Sequence, residues 1–164
     1  MSGPDMTQTQ VAVAVLKTGD WAYTNTATVN ALITWFAAEG GAGPQWNIPT
    51  NFNNYNPLNT TLPLPGSVNE PGNEPPTQSY VSWAQGIQAT VLTLQETQRG
   101  YAAIRAVLVA GGDCAALAAA VGASAWGTAN FSDLCGNTPI PPGPPVPPVG
   151  EAPPWVLGVV LWGT

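Results

Sequence analysis

Glu39 is the residue whose type and setting point most directly to chemistry. An apolar run over residues 29–38 leads into it and Gly40-Gly41 follow, so the sequence places this carboxyl group at the last turn of a helix, where the helix dipole disfavours negative charge. Trp35 and Phe36 come one turn earlier on the same face and are expected to wall the carboxyl off from water. Both influences favour the neutral acid, the state a proton donor needs. A solvated glutamate at a helix end is the simpler reading, and these residues alone leave both open.

Elimination strengthens the case for carboxylate chemistry. The chain has no histidine, which removes Ser-His-Asp and Cys-His catalysis and every imidazole metal site. Its two cysteines cannot build a four-thiolate zinc site, and its glycines show neither standard phosphate-loop spacing. No metal and no cofactor are expected. Lys17, Arg99 and Arg105 face nine acidic residues for a net charge of -6, so nucleic acid is not an expected partner and anionic membranes or walls gain no passive attraction. The first ten residues lack the basic-then-apolar order of a secretory signal, and no apolar run reaches the roughly 18 residues of a membrane span.

The elements that must position Glu39 read as mainly helical. At 164 residues the prior is one domain, and a 45% hydrophobic content is enough to build a core. Only 7% of residues are charged, against roughly 25% in average globular domains, a composition that suits an extracellular or assembled protein. Asp5 and Thr7 precede a first helix over residues 11–16. Thr26 or Thr28 caps the second, whose Val29, Leu32, Ile33 and Phe36 carry the most regular apolar period and make it central. A capping box at Ser82–Gln85 starts a third, with Trp83, Ile87, Val91 and Leu94 as its buried stripe, running to about Gln98; Gly86 within it suggests close packing against another backbone. Tyr101, Ile104, Val107 and Leu108 mark a fourth, stopped by Gly111-Gly112, with Arg105 on its polar face. Asp113 caps a fifth, ended by Gly122.

Residues 40–79 hold eight prolines and no helical period, so they read as a long irregular lobe with extended pieces around residues 55–64. Glu70 and Glu74 fall there, most simply as exposed loop charges. Cys114 and Cys135 are either two buried thiols or, in a protein working outside a cell, a disulfide tying the fifth helix to the 126–134 segment; the second is preferred. Three parts result: a domain over residues 1–138, a linker over 139–154 with nine prolines, and an apolar docking segment over 155–164. In that last segment Trp155, Leu157, Val159 and Leu161 alternate, which suits strand addition to another chain.

In order along the chain, Trp35-x-x-x-Glu39-Gly40-Gly41, Asn56-Pro57-Leu58-Asn59-Thr60-Thr61, Tyr80-Val81-Ser82-Trp83-Ala84-Gln85-Gly86-Ile87, and a later Leu-x6-Tyr-x-x-Ile pattern together resemble lysozyme-like domains of phages of Gram-positive bacteria. The set is also similar to bacterial glucosaminidases and lytic transglycosylases, and it covers roughly residues 7–111. The resemblance implies a lysozyme-like helical domain with a long irregular lobe and a Pro-rich C-terminal extension. It also implies Glu39 as catalytic acid, with Trp46, Asn56, Asn59, Thr60 and Tyr80 as substrate-binding residues. Glycosidases of the two-carboxylate kind need a second acid roughly 5–9.5 Å from the first, and only Glu70 or Glu74 could supply it. A lytic transglycosylase needs one glutamate, acting as acid and then base while a hydroxyl of the substrate attacks.

The reading implied is a virion-associated protein that contacts peptidoglycan glycan strands and, in its enzymatic version, cleaves them as a glycoside hydrolase or lytic transglycosylase. Its partners are then cell-wall glycan and, through residues 155–164, other virion proteins. The alternative is a capsid-decoration or tail protein that keeps the fold without the chemistry. A glycan-binding module using the tryptophans without cleavage is a third.

Overall fold

The computed structural model describes residues 6–39, 55–72 and 74–136. Trp46, the proline-rich linker and the apolar segment 155–164 fall outside the described residues. Within them the chain is mainly helical: α1 Gln8–Thr18, α2 Thr26–Ala38, α3 Trp83–Gln95, α4 Ala102–Ala110, α5 Cys114–Gly122 and the single turn α6 Phe131–Leu134. One small antiparallel hairpin, β1 Val68–Asn69 with β2 Gln78–Ser79, interrupts them, with Val68 opposite Ser79 and Asn69 opposite Gln78. The strands thus form beyond residues 55–64, which the sequence favoured for extended pieces.

Helix α2 is the central one. Val29, Ala31, Leu32, Ile33, Trp35 and Phe36 are all buried, together with Thr28 and Thr34, so the helix is covered almost all round. It packs against α1, α5 and α6, while α3 lies against α1 and α4, and α4 against α5. Its N-cap is Asn25, upstream of the two threonines expected there. The Asn25 Oδ1 accepts from the N–H groups of Ala27 at 2.9 Å and Thr28 at 3.3 Å, while its Nδ2 donates to the Gly111 carbonyl at 3.2 Å. The Asn25 amide caps with its oxygen and donates with its nitrogen in the same geometry. The Thr28 hydroxyl is left to bond the Gly112 carbonyl at 3.0 Å, so the start of α2 is tied to the end of α4.

The other helices follow local rules. Thr7 and Gln10 form a reciprocal capping box on α1. Ser82 caps α3 by accepting from the Gln85 N–H at 3.3 Å, but the Gln85 side chain reaches back to the Val81 N–H at 3.0 Å, one residue beyond the box expected. Asp113 caps α5 through the Ala116 N–H at 3.0 Å. Gly86 is required by close approach, because a Cβ there would fall on the carbonyl oxygen of Tyr55. Helix α3 stops at Gln95, short of the expected Gln98. Arg105, expected on a solvated polar face, is half-buried and explains the stop: its Nη1 donates to the carbonyls of Leu94 at 2.6 Å and Glu96 at 3.3 Å, a cation satisfying orphan carbonyls at a helix C-terminus.

Candidate functional site

Glu39 sits where α2 ends. Its backbone N–H bonds the Trp35 carbonyl at 3.0 Å, completing the last turn, and its side chain is half-buried. Three donors converge on one carboxyl oxygen. Oε1 accepts from the indole Nε1 of Trp35 at 3.3 Å, from the indole Nε1 of Trp126 at 3.1 Å, and from the hydroxyl of Thr128. Asn59 approaches from the other side of the sequence, its Nδ2 donating to the Glu39 backbone carbonyl at 2.7 Å. The backbone of Asn59 is left-handed, with φ +51°, a conformation asparagine tolerates better than most residues. Trp35, expected to shield the carboxyl by its ring alone, therefore also bonds it.

Trp126 and Thr128 were not legible as site residues. They come from the irregular segment between α5 and α6, and Gly127 between them has φ +65°, which lets the chain turn so that both neighbours reach Glu39. Aromatic packing fixes this segment against α2. Trp126 meets Trp35 edge-on with centroids 5.0 Å apart and lies 5.3 Å from Tyr101, while Trp35 stacks on the buried Phe131 at 6.0 Å. The Cys114–Cys135 disulfide, preferred from sequence, is formed, with Cα atoms 5.6 Å apart across a separation of 21 positions. It closes the whole stretch that carries Trp126, Thr128 and Phe131 into one loop.

The chemistry of this clamp follows from donor counting. An indole N–H only donates, so the Trp35 and Trp126 bonds hold Oε1 as an acceptor, and all three bonds of the clamp fall on that oxygen. The carboxyl plane is fixed by three bonds, and half-burial leaves the side chain partly open to solvent. This is the geometry of an aimed carboxyl group.

Asn56, Thr60 and Tyr80, expected to contact substrate, lie inside the protein, at 2%, 1% and 3% exposure. Asn56 Nδ2 donates to the carbonyls of Thr60 at 2.8 Å and Gln78 at 2.9 Å, and its Oδ1 accepts from the Thr60 N–H at 2.8 Å. The Tyr80 hydroxyl donates to the Leu62 carbonyl at 2.8 Å and lies 2.8 Å from the Thr60 hydroxyl. Burial pushes the Tyr80 phenol above its ordinary value of 10.0, with the bond to Thr60 pulling the other way. These groups bond one another and backbone, and so shape the lobe. Of the expected binding residues, the structure brings only the exposed Asn59 to Glu39, and Trp46 is outside the described residues.

Glu70 is half-buried and Glu74 exposed, both on the β1–β2 hairpin; the Glu70 N–H bonds the Thr77 carbonyl at 2.8 Å. Two surface concavities, one lined by residues 95–99 and the other by Thr61, Leu62, Pro63, Thr93, Glu96 and Arg99, do not include Glu39. Among the described residues no three His, Cys, Asp or Glu side chains group as a metal site would require, and no helix is long and apolar enough to cross a membrane. Comparison with protein-family models, with curated proteins and with solved structures finds no match to this chain.

Proposed function

We propose that this is a lysozyme-like protein of a phage particle that acts on peptidoglycan glycan strands, with Glu39 as the group that protonates the glycosidic oxygen. The carrying observation is that the clamp holds Oε1 of a half-buried carboxyl at the end of the central helix, so that Oε2 is the oxygen offered to a substrate. Proton donation at the leaving oxygen breaks the glycosidic bond through an oxocarbenium-like transition state. With Glu70 and Glu74 on the hairpin and no second acid in the clamp, a single-glutamate reaction fits best. Glu39, once deprotonated, takes the proton of the attacking hydroxyl, as the transglycosylase resemblance implies.

One observation favours the structural reading, in which the same chain is a non-catalytic capsid or tail component. The bonds that aim Glu39 also tie α2 to the α5–α6 segment, so the carboxyl has a role even without chemistry. The variant Glu39→Gln separates the two readings. Glutamine keeps an acceptor oxygen for Trp35, Trp126 and Thr128 and loses only the acid. The wild type is expected to release soluble fragments from purified peptidoglycan, and E39Q to release them about 10²–10⁴-fold more slowly with an unchanged melting temperature. A wild type that releases nothing between acidic and neutral pH defeats the enzymatic reading and leaves the structural one.

A further inference from the structure

We propose that Trp126 and Thr128 are positioning residues for Glu39 and that the Cys114–Cys135 disulfide holds them in place, so that the site is fully set only in the oxidised protein. The inference rests on the reading of Glu39 as proton donor and adds a redox control to it.

Neither residue is required to touch substrate. They act through Oε1, and both belong to the stretch between α5 and α6 that the disulfide closes. That stretch is lightly held by its own backbone. It contains the one-turn helix α6, which has no side-chain cap, and its local bonds beyond α5 run mainly back to Val121 or within the turn, as with the Ser124 hydroxyl to the Val121 carbonyl at 2.8 Å. Its attachments to α2 include the indole and hydroxyl bonds to Glu39, the Trp35 bond to Thr128 at 3.3 Å, and the packing of Trp126 and Phe131 on Trp35. Cutting the cross-link restores the freedom of a loop of about twenty residues, and that freedom opposes these attachments.

Reduction by a small dithiol is a two-electron exchange. One thiolate of the reagent attacks a cysteine sulfur and the other cysteine leaves as a thiolate. The reagent's second thiol then closes a cyclic disulfide and frees the first cysteine, so two electrons and two protons pass to the protein. In a reducing cytosol the chain carries Glu39 with its donors slack, and oxidation outside the cell sets them.

The test uses the full chain, ¹⁵N-labelled, with the Trp35 and Trp126 indole N–H resonances assigned. Excess dithiothreitol is expected to shift both resonances and speed their exchange with water. Thr128→Val is expected to shift them in the oxidised protein, and Thr128→Ser to restore them. If the valine variant does not fold, Trp126→Phe keeps a ring and removes one donor. On soluble glycan fragments, Thr128→Val lowers kcat about 10- to 100-fold with KM unchanged, serine rescues it, and reduction adds little to the valine variant because both undo one clamp. Indole resonances that ignore reduction, a KM effect in place of a kcat effect, or failure of serine to rescue overturns the proposal. A wild type that cleaves nothing defeats the proposed activity, and the resonances then decide positioning: a shift on reduction upholds it, and no shift overturns it.

Discussion

The cluster around Asn56 and the cluster around Glu39 use hydrogen bonds in opposite ways. Around Asn56 the network is closed: amide, hydroxyl and phenol are buried, and they satisfy the carbonyls of Thr60, Leu62 and Gln78 in a lobe with little regular structure to do so. Around Glu39 the network is open, with three donors crowding one oxygen of a half-buried carboxyl. A closed network fixes a chain path and has nothing left over for a ligand. An open one leaves its central group partly exposed to solvent. The same residue types that suggest sugar recognition in a sequence therefore divide in the structure by whether their partners are all internal.

Stability and activity should separate the two clusters. Asn56→Ala strands the Gln78 carbonyl and the buried Thr60 N–H and leaves the Thr60 carbonyl with the Gln78 N–H alone, and is expected to cost about 4 kcal/mol in urea denaturation, the largest effect of the set. A cost near zero would show that water replaces the amide and that the network is not closed. Gly86→Ala, which drives a methyl group into the Tyr55 carbonyl, is expected to cost about 3 kcal/mol and to loosen the lobe from α3. Tyr80→Phe is expected to cost about 1.5 kcal/mol, and it also changes the alkaline limb. Because the folded-state phenol titrates above 10.0, its contribution is complete below that pH and is lost as pH rises from there toward the higher folded value. The wild-type urea midpoint should fall over this range more steeply than that of the phenylalanine variant. Glu39→Gln should change stability least, by under about 0.5 kcal/mol, while removing the fragment release described above. A large loss of stability in E39Q would move Glu39 into the same class as Asn56.

Much of the helical framework is legible because it is local. The period of Val29, Leu32, Ile33 and Phe36 marks the central helix, and Thr7, Ser82 and Asp113 announce helix starts by side-chain chemistry that acts over three residues. Gly86 is legible too, since a glycine in an otherwise good helix implies close approach. Competition among neighbours hides the rest. Asn25, Thr26 and Thr28 can all cap, and the choice of Asn25 goes with a bond its side chain makes to the distant Gly111 carbonyl. The polar lobe carries no period, so nothing in the sequence tells the buried Asn56 and Thr60 from the exposed Asn59 between them. Glu39 is readable as a helix-end acid, but Trp126 and Thr128 lie more than 85 positions away, and no local pattern points from one to the other.

The scarcity of basic residues has a practical consequence. Lys17, Arg99 and Arg105 are the only sites for trypsin. Arg105 is engaged with two carbonyls, and Lys17 lies in the last turn of α1, its ammonium 5.8 Å from the Tyr23 ring. Arg99, half exposed in the turn between α3 and α4, is the natural first cut. That cut leaves Trp35 and Glu39 on one piece, with Trp126, Thr128 and both cysteines on the other, and no covalent link between them. The pieces would remain associated through the packing of α2 on α5 and α6, the Asn25 and Thr28 bonds, and the grip of Arg105 on α3. Nicked at one peptide bond, the protein becomes a complementation pair, and the dissociation constant of its halves becomes a direct gauge of how firmly the clamp closes on Glu39.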